Sequence, residues 1–287
     1  YGKLKIIPSV YYRCNKDVFQ LVKDQPLERN NYHFSQVFGA NVRSFVDYAW
    51  GRTAWSGDLR AEDVISRNLG EPLFSPIAIP HTALDYTHGR TRVHSSFSIS
   101  QTYNYKNFGV AATLLVQHNS DLKDKIYPLP AIDLKYEFAP LHCGNETLKS
   151  QIIASASSSL RMPTFTDLYY KTGDILGNKN LSPEKAKSVE ISFITTLLHG
   201  PNAQTFAEFR GNVYHRLGKD MIDYVKRDED SIWHCINLSE IRFTGTELSL
   251  VLHPEALKNN FFIQKIQWDY SFIHSNQETN GYLSRYV

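Results

Sequence analysis

The residues of this chain that could do covalent chemistry are scattered, and none converge on a reaction. The eleven histidines share no metal-ligand spacing, and Cys14, Cys143 and Cys235 lie far apart. With no Cys-x-x-Cys pair and an odd thiol count, neither a zinc site nor a disulfide framework is expected. No Gly-x-Ser-x-Gly, His-Glu-x-x-His, Gly-x-Gly-x-x-Gly or Walker A stretch occurs. The chain is therefore expected not to be an enzyme, and no cofactor or metal is expected. The adjacent acids Asp228, Glu229 and Asp230 could offer oxygens to Ca²⁺, but such a run is expected to be a solvated loop tip instead. Two other groups carry more. Asp58, Arg60 and Glu62 alternate with Leu59 and Ala61, Glu208 and Arg210 with Ala207 and Phe209, and Glu247 stands between Thr246 and Leu248. Tyr86, His88, Tyr169, Tyr170 and Asp174 fall in polar segments between such runs. Aromatic faces with a few polar groups are the usual make-up of a small-molecule site, so these five are the candidate ligand contacts.

The alternation identifies the elements that must position these groups. Period two dominates: Ile132, Leu134, Tyr136 and Phe138 oppose Asp133, Lys135 and Glu137, and Ile266, Trp268, Tyr270 and Phe272 oppose Gln267, Asp269 and Ser271. About twelve such segments can be traced, many longer than about ten residues. Globular strands average about 5–6 residues, whereas a strand crossing a bilayer at a tilt needs about 9–11. Connections take turns in length. Short ones are expected at Gly51-Arg52, Asn104–Asn107, Leu141–Thr147, His199–Gln204 and Pro254–Asn260. Longer ones are expected at Lys23–Asn31, Gly70–Arg90, Ser120–Tyr127, Met162–Ala186, Lys226–Ile232 and Ser275–Gly281. Aromatic residues flank the short ones: Tyr48, Trp50 and Trp55 at the first, Tyr103, Tyr105 and Phe108 at the second. Rings at one set of strand ends are what a membrane–water interface favours.

Composition agrees. No run of about 18 apolar residues exists to form a transmembrane helix, and mean hydropathy is −0.37. The spanning structure that tolerates such polarity is a β-barrel, because half of each strand faces a wet interior. Tyr and Phe are abundant, at 17 and 16, and Met is scarce, at 2. A net charge of +2 gives no field that would favour nucleic acid. The expected fold is all-β: an antiparallel up-and-down transmembrane barrel forming one domain over residues 1–287. Leu59, Leu134, Phe209 and Trp268 are expected to face lipid, and Arg60, Lys135, Arg210 and Asp269 the lumen. A complete smaller outer-membrane channel and a soluble β-sandwich binding module remain as alternatives. The sandwich has no reason to alternate its loop lengths.

Between Ser150 and Leu250 the chain resembles a known family. Leu160-Arg161-Met162-Pro163-Thr164-Phe165-Thr166-Asp167-Leu168-Tyr169-Tyr170 is similar to the "FRxPTFxDLYY" stretch of TonB-dependent receptors. Gly177-Asn178-Lys179-Asn180-Leu181-Ser182-Pro183-Glu184-Lys185-Ala186 is similar to their "GNxxLxPEKA". Val213-Tyr214-His215-Arg216 with Asp220-Met221-Ile222-Asp223-Tyr224, then Asn237 and Gly245-Thr246-Glu247-Leu248, resemble the strands that follow. Asp17–Leu21, Val37–Asn41 and Arg60–Gly70 are similar to barrel strands of Bacteroidetes-type members. Leu160 stands where the family usually has Phe. The resemblance implies a bacterial outer-membrane protein whose 22-stranded barrel is represented here by a middle fragment of about twelve strands, without its plug or energy-coupling box. It implies uptake of a bulky scarce nutrient, nearest to vitamin B12 (cobalamin), with iron-siderophore or haem as the alternative cargo. The implied partners are outer-membrane lipid, the TonB–ExbB–ExbD complex acting through the plug, a corrinoid or iron chelate, and a surface lipoprotein as a further candidate. The resemblance also implies that Asp58, Arg60, Glu62, Glu208, Arg210 and Glu247 face the lumen and touch the plug.

Overall fold

Alternation makes every strand two-faced, and the register decides what each face meets. A computed structural model describes residues 2–20, 30–122, 125–171, 174–227, 231–257, 262–276 and 283–284. Its strands are β1 Lys5–Gln20, β2 Asn30–Tyr48, β3 Gly51–Ser66, β4 Glu71–Ala78, β5 Asp85–Tyr105, β6 Phe108–Asn119, β7 Ile126–Glu137, β8 Leu141–Cys143, β9 Glu146–Arg161, β10 Ile175–Leu176, β11 Glu184–His199, β12 Gln204–Lys226, β13 Trp233–Leu252, β14 Ile266–Ser275 and β15 Leu283–Ser284. All fifteen belong to one sheet. Eleven are ten residues or longer, up to the 23 of β12, close to the twelve expected. These long strands pair antiparallel, each with the next in sequence, as an up-and-down wall.

The register lines up apolar rows across the sheet. Val110, Leu134, Ala154, Ile191, Val213, Thr246 and Phe272 stand opposite one another from β6 to β14. This face is left uncovered: Val10 is 76% and Phe38 62% exposed. A soluble sheet of this size would need a second layer over such a surface, so the exposed face itself marks contact with lipid. At the sheet end that holds the tight turns the same face carries Tyr48 stacked on Trp50 at 4.8 Å, Trp50 beside Tyr103 at 5.9 Å, and, after the longer β13–β14 connection, Trp268 stacked on Tyr270 at 6.2 Å. That is an interfacial aromatic girdle. No described helix is long and apolar enough to cross a membrane.

The opposite face is polar. Lys135, Ser192, Asn212, Glu247 and Ser271 share one of its rows. Tyr11 lies across the Cα of Gly39, where any Cβ would collide with the ring, and its hydroxyl donates to Asp58 Oδ2 at 3.2 Å. Gly245 on β13 gives the same room to the Tyr214 ring of β12. Glycine in the strand interior thus permits an aromatic ring to lie flat on the neighbouring backbone.

Several boundaries differ from expectation. Gly51 and Arg52 open β3, and the turn is Ala49-Trp50. The connection after β13 runs 13 residues to Ile266 rather than being short. Gly70–Arg90 is mostly the β4–β5 hairpin rather than a loop. Strands on that side continue past the apolar band, so much of what reads as polar connection is paired backbone. The Asp228–Asp230 run, most of Lys23–Asn31, and parts of the Ser275–Gly281 and Pro254–Asn260 connections lie outside the described residues.

Candidate functional site

At the end of the sheet opposite the tight turns, the described residues from Met162 to Pro183 leave β9, cross the polar face and lead into β11. Pro163 has no N–H to continue the ladder. Thr164 then caps the short helix α1, Phe165–Tyr169. Its hydroxyl accepts from the Asp167 N–H at 3.1 Å, and Asp167 Oδ2 accepts from the Thr164 N–H at 2.9 Å, a reciprocal capping box.

Arg161, the last residue of β9, ties both ends of this segment together. Its Nε and Nη2 meet the two Glu184 oxygens at 2.5 and 2.7 Å, and Nη1 reaches Asp167 Oδ2 at 3.3 Å. Such a two-pronged guanidinium–carboxylate pair is strong and geometrically specific. Glu184 Oε1 also accepts from the Ile222 N–H at 2.7 Å, which fixes the loop's exit to β12. The hydrogen bond with Glu184 holds the Arg161 guanidinium above its ordinary range. Asn237 makes a second clamp: its amide donates to the Ser182 and Asp220 carbonyls at 3.0 and 2.6 Å and accepts from the Ser182 N–H at 2.8 Å. Gly177 lies so close to the helix that a Cβ would stand 2.9 Å from the Asp167 carbonyl oxygen and the Tyr170 nitrogen, so only glycine fits.

Under these clamps sits a small apolar core of Leu168, Leu181, Ile222, Tyr224 and Cys235, with Tyr169, Ile175 and Trp233 against it. Burial, helped by the Asp167 carboxylate, pushes the Cys235 thiol up to about 12.

The segment reaches well beyond its neighbouring strands. Arg92 on β5 donates to the Pro163 carbonyl at 2.9 Å and lies 4.4 Å over the Phe165 ring. Asn31 on β2 donates to the Tyr170 hydroxyl at 3.3 Å. On the other flank the Trp233 N–H donates to the Asp174 carbonyl at 2.8 Å. The strands touched run from β2 to β13, so the loop folds inward across the mouth of the polar face. Between it and β4–β5 lies a cavity of about 190 Å³ lined by Glu71, Arg90, Arg92, Asp121, Tyr169 and Lys179, among others.

Tyr169 and Tyr170 therefore sit in this inward-folded segment, Tyr169 on the cavity wall beneath Lys179 at 5.2 Å. Asp174 is exposed at its far flank. Tyr86 and His88 are on β5 rather than in a loop. Tyr86 is buried, and the His88 ring is held by the Arg67 carbonyl and the Thr87 hydroxyl at 3.0 and 2.9 Å. Asp58, Arg60, Glu62, Glu208, Arg210 and Glu247 share the polar face by register. Arg60 pairs with Glu62 at 2.7 Å, Arg92 with Glu62 at 2.7 Å, and Arg210 with Glu208 at 3.6 Å. Among the described residues no group of three or more His, Cys, Asp or Glu is placed to hold a metal ion. Sequence reasoning passed over Arg161, Asp167 and Glu184 as site residues, although all three stand in the quoted motifs. The signal was two acids and one base at fixed places on either side of two prolines.

The family model for "TonB dependent receptor-like, beta-barrel" matches residues 12–286. The chain belongs to this TonB-dependent receptor family. Over 109 residues, 38% of the chain, it is 27% identical to the vitamin B12 transporter BtuB of Vibrio vulnificus (strain YJ016), a stretch that is 16% of that protein. Among solved structures, the copper transporter OprC superposes with a TM-score of 0.63 at 13% identity, over 94% of this chain and 42% of that one. The siderophore receptor PirA from Acinetobacter baumannii superposes at 0.61 with 13% identity, over 97% and 43%. The receptor chain described here thus spans less than half the length of these relatives. Likeness at such identity concerns the fold; the outer-membrane setting comes with the family.

Proposed function

We propose that this receptor segment is the part of an outer-membrane transporter wall that receives a bulky, scarce nutrient, and that the nutrient is cobalamin. The observation that carries the reading is the Met162–Pro183 segment folded inward over the polar face, with Tyr169 on a cavity at the mouth. A ligand arriving from outside meets that segment first. The likeness to a vitamin B12 transporter over 109 residues favours a corrinoid over other cargo. A ferric siderophore or haem is the second reading, favoured by the siderophore receptor among the structural neighbours. Asp58, Arg60, Glu62, Glu208, Arg210 and Glu247 then face the lumen, where a plug would hydrogen-bond to them. Energy would come from the TonB–ExbB–ExbD complex through that plug, and a surface lipoprotein could cover the mouth.

The test is equilibrium binding to the purified full-length receptor with cyanocobalamin, ferric siderophores, haem and copper offered separately. Saturable binding of cyanocobalamin, abolished by none of the others in competition, is expected. Saturable binding of a ferric chelate with none of cyanocobalamin would overturn the cobalamin reading.

A further inference from the structure

The cavity beneath Tyr169 contains an acceptor that the fold leaves unused. Asp121, in the turn after β6, is held by its backbone N–H donating to Asn119 Oδ1 at 3.0 Å. Its Oδ1 accepts from Arg90 Nη2 at 2.7 Å and Nε at 3.3 Å. The side chain is only 9% exposed, yet among the described residues its buried Oδ2 has no hydrogen-bond partner. A buried carboxylate oxygen left unpaired is costly and calls for an explanation. Two of the described cations around it are already committed. Arg92 is spent on Glu62 and the Pro163 carbonyl, and Arg90 on Asp121 and, at 3.4 Å, Glu71. Lys179 stands 3.6 Å from Glu71, a loose contact that leaves its donors able to turn toward a guest.

We propose that this cavity is a subsite for a primary carboxamide carried by a larger ligand, its NH₂ donating to Asp121 Oδ2 and its carbonyl accepting from Lys179. Charge selects the class. Arg90, Arg92 and Lys179, with the Arg60 that shares Glu62, balance Asp121, Glu71, Glu62 and the Asp58 beside Arg60, so a full cation or anion would upset a neutral set, whereas a neutral group satisfies it. Size agrees: about 190 Å³ lies below the ~300–1,000 Å³ of a site for a whole drug-sized ligand. It admits a pendant arm, with Leu168 and Leu181 against the alkyl part and Tyr169 along one side. This subsite rests on the cobalamin reading, since the corrin ring carries several short side chains ending in primary amides, and it separates that cargo from anionic ferric chelates.

The experiment uses the full-length receptor with cyanocobalamin and with the monocarboxylic acids obtained by hydrolysing one side-chain amide at a time. The wild-type receptor is expected to bind one of these acids at least about tenfold more weakly than the parent amide, because a carboxylate would face Asp121. Asp121→Asn, which turns the free acceptor into a donor, is expected to weaken cyanocobalamin about tenfold and to narrow that gap. Unchanged cyanocobalamin affinity in Asp121→Asn, with the amide-over-acid preference intact, would overturn the subsite and leave the cobalamin reading standing. Absence of cyanocobalamin binding by the wild-type receptor would overturn both. If Asp121→Asn fails to give the folded band in a heat-modifiability gel, the wild-type series decides, and equal affinity for every acid and the parent amide overturns the subsite.

Discussion

Arg161 shows how one side chain can set the shape of a long loop. Its guanidinium is half exposed, but both partners are nearly buried, with Glu184 and Asp167 side chains each 11% exposed. Removing one member of a fully buried pair costs about 3–5 kcal/mol. With Arg161 open to water, Arg161→Ala should cost about 1–3 kcal/mol, and the cost should fall on the loop, because the strands keep their ladders. Cys235 reports on this. Its thiol is buried and pushed up to about 12, so almost no thiolate exists at neutral pH to react. In the full-length receptor at pH 8, maleimide should leave Cys235 unmodified in the wild type and label it in Arg161→Ala, with mass spectrometry locating the adduct. Equal protection in both would show that the apolar core holds without the ion pairs. None of this is readable from residue types alone. The motif places Arg161, Asp167 and Glu184 in one line of sequence, but only the fold brings the residues on either side of a 22-residue excursion within 3 Å of each other. Asp121 was further out of reach, since a lone acid in a polar turn carries no pattern at all.

Among elements, the strands were legible and their ends were not. Period two fixes which residues share a face, and the register keeps Leu59, Leu134, Phe209 and Trp268 on one side and Arg60, Lys135, Arg210 and Asp269 on the other. Where a strand leaves the membrane, the apolar half of the alternation fades while the hydrogen-bond ladder continues. That is why Tyr86 and His88, read as loop residues, lie on β5, and why β12 runs 23 residues when about 9–11 would cross a bilayer. Val213 sits well inside the apolar rows, away from both strand ends. Val213→Arg should destabilise the full-length barrel in lipid by about 2–4 kcal/mol, while Arg210→Ala on the polar face should change it by well under half of that. Urea titration of refolding into vesicles measures both, and equal effects would put the register in error. The Met162–Pro183 segment should behave as a separate unit. Deleting residues 172–176 removes the Asp174 tether and the short parallel pairing of β10 with β13, but touches no long strand. Ligand affinity should fall, while the heat-modifiable band persists, because loop-length changes cost little closure entropy. Loss of that band would assign the segment to the wall.

At the scale of the whole molecule, the fold inverts the usual arrangement. The apolar face of the single sheet is exposed, the polar residues share its other face, and the described apolar cluster lies at one end, between the inward-folded segment and β12–β13. Such a layout is unstable in water and natural in a bilayer, where backbone groups must all be paired and apolar side chains need no second layer. The alternation of strands and the aromatic rings at the tight turns carried this conclusion from the sequence, since both follow from local spacing. The inward course of the loop did not, because it depends on contacts of the loop with β2, β5 and β13, which are far apart in the chain. The most direct measurement scans β12 in the full-length receptor. Single cysteines at 208, 209, 210, 212 and 213, in a background with the native thiols replaced by serine, carry a bimane label in vesicles of brominated lipid. Labels at Phe209 and Val213 should be strongly quenched by the brominated chains, and labels at Glu208, Arg210 and Asn212 should not. Quenching without alternation, or with the two sets exchanged, would contradict the placement of this sheet as a barrel wall between lipid and lumen.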